Sequence, residues 1–294
     1  MRARGALAFV LLALAAPALA VEPADKYVAM PASTGLEWSA VSFTATRDDA
    51  DLNGWWFEGK PESPVLVLFD RSQGNMADLL PAVNEFVGRG FSVMTFDYRD
   101  FGPAGPGPVD SLLQLAFASR WVNDAEGALR FARGKAGARP VFAWGQELGG
   151  AIAVAAGARD RKNVDAIACE GLFRTLAELL RLSGLAQIPG VSERHRFLVE
   201  TADEPLTAVA NLMVPLHVAF AMKDDVWPAA ATQEVARRSL SRIDRWSVPE
   251  GKHVGLEKTP GYFDRLSGWF MRIAGMIKAA APPAAAPTGV APQK

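Results

Sequence analysis

Cysteine is almost missing from this chain of 294 residues: Cys169 stands alone, so no internal disulfide can form. Histidine is nearly as scarce. His195, His217 and His253 lie far apart, and no Cys/His spacing matches a zinc site, so neither a metal nor a cofactor is expected. An excess of one charge is also lacking. Lys and Arg number 31 against 32 Asp and Glu, a formal net charge of −1 with no block of like sign, which argues against nucleic acid or an anionic membrane surface as partner. No internal repeat is visible. A long apolar run is absent too: the one at the start, 6–15, is too short to span a bilayer.

That short run has a context. Arg2 and Arg4 precede it, and Ala18-Leu19-Ala20 supplies a small-x-small cleavage site, so residues 1–20 read as a secretory signal peptide and the product as periplasmic or secreted. No lipobox cysteine follows, and no membrane span is expected in the mature chain.

The remaining length suits one large domain over 21–278, with an Ala/Pro tail at 279–294 expected to be disordered. Segments 38–46 and 52–58 alternate like two antiparallel strands joined by a turn at Asp48-Asp49-Ala50-Asp51. Segments 65–69, 91–96, 141–144, 164–170 and 216–221 are apolar runs of the kind buried on both faces of a parallel sheet, and 245–248 adds another strand. Helical patterns fall between them at 77–87, 111–133, 149–158 and 229–240, and one closes the domain at 262–278. The seven residues 102–108 hold three glycines and three prolines and read as loop. Residues 21–35 look polar and irregular. Strands alternating with helices imply an α/β fold with a mostly parallel central sheet and helices on both faces.

The stretch Val141-Phe142-Ala143-Trp144-Gly145-Gln146-Glu147-Leu148-Gly149-Gly150-Ala151 organises the rest. An apolar strand enters a turn flanked by glycines and leaves as a small-residue helix, the layout of a nucleophile elbow. The central residue sits on a sharp turn, so its neighbours two before and two after must be small. They are Gly145 and Gly149. The central position holds Glu147 where a nucleophilic serine is expected.

Further stretches fall in order around this one. They are Asp70-Arg71-Ser72-Gln73-Gly74-Asn75, Asp97-Tyr98-Arg99-Asp100-Phe101-Gly102, Lys223-Asp224-Asp225-Val226-Trp227-Pro228 and Gly251-Lys252-His253-Val254-Gly255. With these the chain resembles the α/β-hydrolase fold, most closely the serine-hydrolase branch of BEM46-like and dienelactone-hydrolase-related proteins. The resemblance runs from about residue 38 to 272 and implies a short cap after the sixth strand, at about 171–210. It assigns Glu147 to the nucleophile position, His253 to the base and Asp224 to the acid, with Asp225 the alternative. The oxyanion donors would come from Leu148 and from the loop at Arg71 or Ser72.

Two departures fall on the chemistry. Glu147 replaces the serine, and Asp70-Arg71 replace the His-Gly pair usual in the oxyanion loop. Loss of a triad serine costs serine proteases about 10⁶-fold in turnover. Ordinary serine hydrolysis is therefore not expected. One outcome is a degenerate site in a protein that binds a small molecule or an envelope partner. The alternative is a hydrolase of esters or related electrophiles that works through Glu147, His253 and Asp224. Arg71 stands where the family has glycine, so an ion pair with Glu147 is expected to plug the old oxyanion pocket.

Overall fold

A computed structural model describes residues 22–71, 73–99, 101–103, 119–182, 187, 199–253 and 255–280. The expected signal peptide, Ser72, Asp100, most of the 102–108 loop and His195 lie outside the described residues.

Eight strands form the central sheet. They are β2 (Trp38–Thr44), β3 (Asp51–Phe57), β4 (Val65–Phe69), β6 (Ser92–Phe96), β7 (Val141–Gln146), β8 (Ala166–Glu170), β9 (Leu216–Ala221) and β10 (Ile243–Val248). Their order across the sheet is β10-β9-β8-β7-β4-β6-β3-β2. All pairings are parallel from β10 to β6, and β3 and β2 add an antiparallel edge. This is the mostly parallel sheet expected for an α/β-hydrolase fold.

Period-two alternation divides the core. On β4, Val65, Val67 and Phe69 face one apolar cluster, while Leu66 and Leu68 face the other. The first cluster is closed by α2 (Ser119–Ala136), α3 (Glu147–Arg159), α4 (Leu176–Leu182), α5 (Pro205–Asn211) and α6 (Ala229–Arg238). The second is closed by α1 (Leu80–Gly88) and α7 (Tyr262–Ala280). Trp55, Trp56 and Trp144 are core residues, and Cys169 is a buried thiol. The parallel strands all end at one edge of the sheet, so the loops that follow them gather there.

Several bounds differ from expectation for local reasons. The segment expected as one helix from 77 starts as a 3₁₀ turn, Met76–Leu79, because Asn75 and Asp78 form a capping box at that point. The last helix runs through Ala280, so residues 279 and 280 belong to it and not to a tail; 281–294 lie outside the described residues. Residues 21–35 are not simply irregular. Strand β1 (Glu22–Pro23) pairs with β5 (Gln73–Gly74), and Pro31–Thr34 makes a 3₁₀ turn.

Candidate active site

The elbow is set by backbone contact. A Cβ on Gly145 would lie 2.5 Å from the carbonyl carbon of Gly149, and one on Gly149 would strike the carbonyl oxygens of Phe69 and Asp70. Only glycine lets β7, α3 and the end of β4 approach this closely. Glu147 takes the left-handed conformation, φ +48°, at the first residue of α3, and Leu148 behind it is buried. A non-glycine residue held there marks an over-determined position.

Loops after β9 and β10 bring the partners. His253 Nε2 lies 3.6 Å from Glu147 Oε2, and His253 Nδ1 lies 3.2 Å from Asp224 Oδ2. The other oxygen of Asp224 accepts backbone N–H bonds from Val226, at 2.8 Å, and Trp227, at 2.7 Å, which fix the carboxylate. Asp225 is exposed, so of the two acids it is Asp224 that meets the histidine. Glu147, His253 and Asp224 thus form one row. His217 lies elsewhere, fully buried on β9 with Nδ1 against Asp244.

Burial pushes the Glu147 carboxyl up to about 7, against the downward pull of His253 and Arg71; Asp224 and Glu257 add to the rise. Burial alone would lower the imidazole of His253, but the hydrogen bond to Asp224 and the charge on Glu147 outweigh it and the net direction is up. The expected Arg71–Glu147 contact is not the one formed. Glu147 makes its ion-pair contact with His253, and Arg71 acts on it through space from the cavity wall.

Behind this row stands a second group that the sequence reading missed. Gln146 Nε2 donates to Glu170 Oε1 and also to Glu257 Oε2, at 3.2 Å. Tyr262 donates its hydroxyl proton to Glu170 at 3.2 Å and accepts a bond from Trp144 Nε1 at 2.9 Å. Glu170 is buried, and this pushes its carboxyl up to about 8. The one signal in the sequence was a carboxylate closing the apolar run of β8.

Two cavities adjoin here. The first, with about 10 Å³ of free space, lies among Glu147, His253, Asp224, Trp227, Arg71 and Gln146. That is room for about one water molecule. Trp227 is a buried wall of this cavity. The second cavity, about 340 Å³, lies between α1 and the turn Leu256–Lys258. Arg71 and Gln146 border both. Among the described residues no group of acidic, His and Cys side chains is arranged to hold a metal ion, and no helix is long and apolar enough to cross a membrane.

Comparison with known proteins agrees with this architecture. Residues 60–179 match the family described as Hydrolase_4, serine aminopeptidase, S33. Protein bem46 of Schizosaccharomyces pombe is 24% identical over 159 residues, 52% of this chain and 50% of that protein. An uncharacterized protein of Mycobacterium tuberculosis is 25% identical over 194 residues, 65% of this chain and 63% of its own. The match therefore spans between half and two thirds of the length of these relatives. An esterase of Pyrococcus furiosus superposes with a TM-score of 0.68 at 16% identity, over 87% of this chain and 98% of that one. The acylaminoacyl peptidase of Pyrococcus horikoshii gives 0.60 at 15% identity, over 81% and 41%.

Proposed function

We propose that this member of the α/β-hydrolase superfamily is an exported, non-catalytic binding protein: its serine-hydrolase site has degenerated, and a small molecule is held in the larger cavity beside it. One observation carries the reading. The nucleophile position is filled by a nearly buried carboxyl in ion-pair contact with His253, beside a cavity of only about 10 Å³, so an acyl group has no room against it. The charge state points the same way. Burial holds the carboxyl toward its neutral form, which is a poor nucleophile. The neighbouring 340 Å³ cavity falls in the usual size range of small-molecule pockets. Export rests on the basic, apolar and small-residue pattern of residues 1–20.

The test is direct. The purified chain should neither hydrolyse p-nitrophenyl acyl esters above the rate of buffer nor label with a fluorophosphonate probe. Stoichiometric labelling that survives Ser72→Ala would reveal another nucleophile and end this reading.

The second reading, hydrolysis through Glu147, His253 and Asp224, is favoured by the 3.6 Å and 3.2 Å spacings of the row. Attack by Glu147 on an electrophilic carbon forms an ester, and water cleaves it at the carboxyl carbon, leaving one solvent oxygen in the side chain. A single turnover of styrene oxide in ¹⁸O water, followed by mass spectrometry of the peptide carrying Glu147, separates the two. No label is expected.

A further inference from the structure

We propose that the 340 Å³ pocket between α1 and the 256–258 turn takes an organic cation, an amine carried on an aromatic or apolar body. This rests on the binding reading above and adds the chemical class of its ligand.

The inner wall supplies the first reason. Glu257 lines the pocket, Glu170 lies just behind it, and the two share a single amide, that of Gln146. Glu170 gains one more donor from Tyr262, but among the described residues neither carboxylate has Lys or Arg in ion-pair contact. Two neighbouring carboxylates, one of them buried, are costly when both are ionised unless a cation joins them. The pocket opens onto Glu257, and Glu170 stands behind Gln146 on the wall of the smaller cavity.

The rest of the lining carries three acids, Asp70, Asp78 and Glu85, against two bases, Arg71 and Lys258. Asp78 and Glu85 stand on its α1 side, and Lys258 is on the opposite turn. Asp78 is held by the capping box and Glu85 by Arg89, so their charges are already engaged, which leaves Glu257 as the acid open to a ligand. Trp144 and Phe263 present aromatic walls. The Phe263 ring already attracts one cation, with the Arg89 guanidinium 5.8 Å from its centre. An ammonium near Glu257 with a ring against Trp144 and Phe263 would combine charge pairing with cation–π attraction. A bare metal ion fits poorly. The cavity is far larger than an ion, and no ligating group is assembled in it among the described residues.

The experiment uses three probes of similar size: phenethylamine, phenylacetate and 2-phenylethanol, titrated calorimetrically into the full chain. Phenethylamine should bind at least about tenfold more tightly than phenylacetate, a difference of about 1.4 kcal/mol. Glu257→Gln should erase that preference. Ala82→Leu, which fills the α1 wall, should weaken every probe that binds. Phenylacetate binding equally or better overturns the cation class, as does an amine preference that survives Glu257→Gln. If phenylacetate or the alcohol binds as tightly as the amine and Ala82→Leu weakens it, the binding reading stands and only the class is lost. If none binds at millimolar concentration the proposal fails, while the ester and fluorophosphonate assays decide separately whether the site is catalytic.

Discussion

Left-handed backbone costs an L residue other than glycine about 1–2 kcal/mol, and Glu147 sits there at φ +48°. The scaffold, not the side chain, dictates that conformation, so a serine placed at 147 should inherit it. Glu147→Ser would then restore the row with His253 and Asp224. Asp70 and Arg71 would still occupy the loop that supplies one oxyanion donor, and one donor is worth about 10²–10³ in turnover. The single substitution should therefore give at most weak hydrolysis of p-nitrophenyl acetate, and addition of Asp70→His and Arg71→Gly should raise it by at least tenfold. Full activity from Glu147→Ser alone would show the loop to be competent as it stands. The row was legible in the sequence because glycine spacing and chain order prescribe where those side chains go. Its second layer was not. Gln146 and Glu170 meet only through the lateral register of β7 with β8, a long-range pairing that no local pattern encodes.

Short elements escaped the sequence reading for a related reason. Strands β1 and β5 are two residues each, too brief for any periodicity to register. The link between them is nonetheless well bonded. Asn75 caps the 3₁₀ turn through Ala77 N, and its side-chain amide donates to the carbonyls of Ala24, at 3.2 Å, and Lys26, at 2.8 Å. Tyr27 donates to Asp97 at 2.7 Å, and Asp97 accepts the Met76 N–H at 2.8 Å. Asn75→Ala removes a cap and two partly buried bonds together, so it should destabilise the fold by about 2–3 kcal/mol in urea denaturation. A loss under about 0.5 kcal/mol would mean that the N-terminal segment adds nothing to the loop. The long strands and helices, by contrast, were visible because burial on both sheet faces leaves continuous apolar runs.

At the scale of the whole molecule, the buried acids set how stability responds to pH. Glu170, raised from 4.5 to about 8, and Glu147, raised to about 7, hold protons in the folded state that the unfolded chain has released. Their stabilisation is complete below pH 4.5 and is lost as pH rises through the folded values. His253, also raised, acts in the same direction above 6.5. His217, buried and lowered, opposes them only below 6.5. Between pH 6.5 and 8 the melting temperature should therefore fall, with Glu170 alone contributing about 1–2 kcal/mol. Glu170→Gln should flatten that slope. A wild-type melting temperature that is level or rising across the interval would mean that the carboxyl is ionised in the fold.

The pairing of β1 with β5 also has a mechanical side. Tension applied at Glu22 meets a strap held by a handful of hydrogen bonds, among them Ala24 N to Gly74 O at 2.8 Å and Gly102 N to Ala24 O at 3.0 Å. Each bond resists with a net of about 1 kcal/mol, whereas the sheet behind them yields only as a cooperative unit. Under load from the amino end, the strap would peel first and free the loop that carries Arg71 while the sheet stayed intact. Force spectroscopy would record this as a small early step before the main rupture.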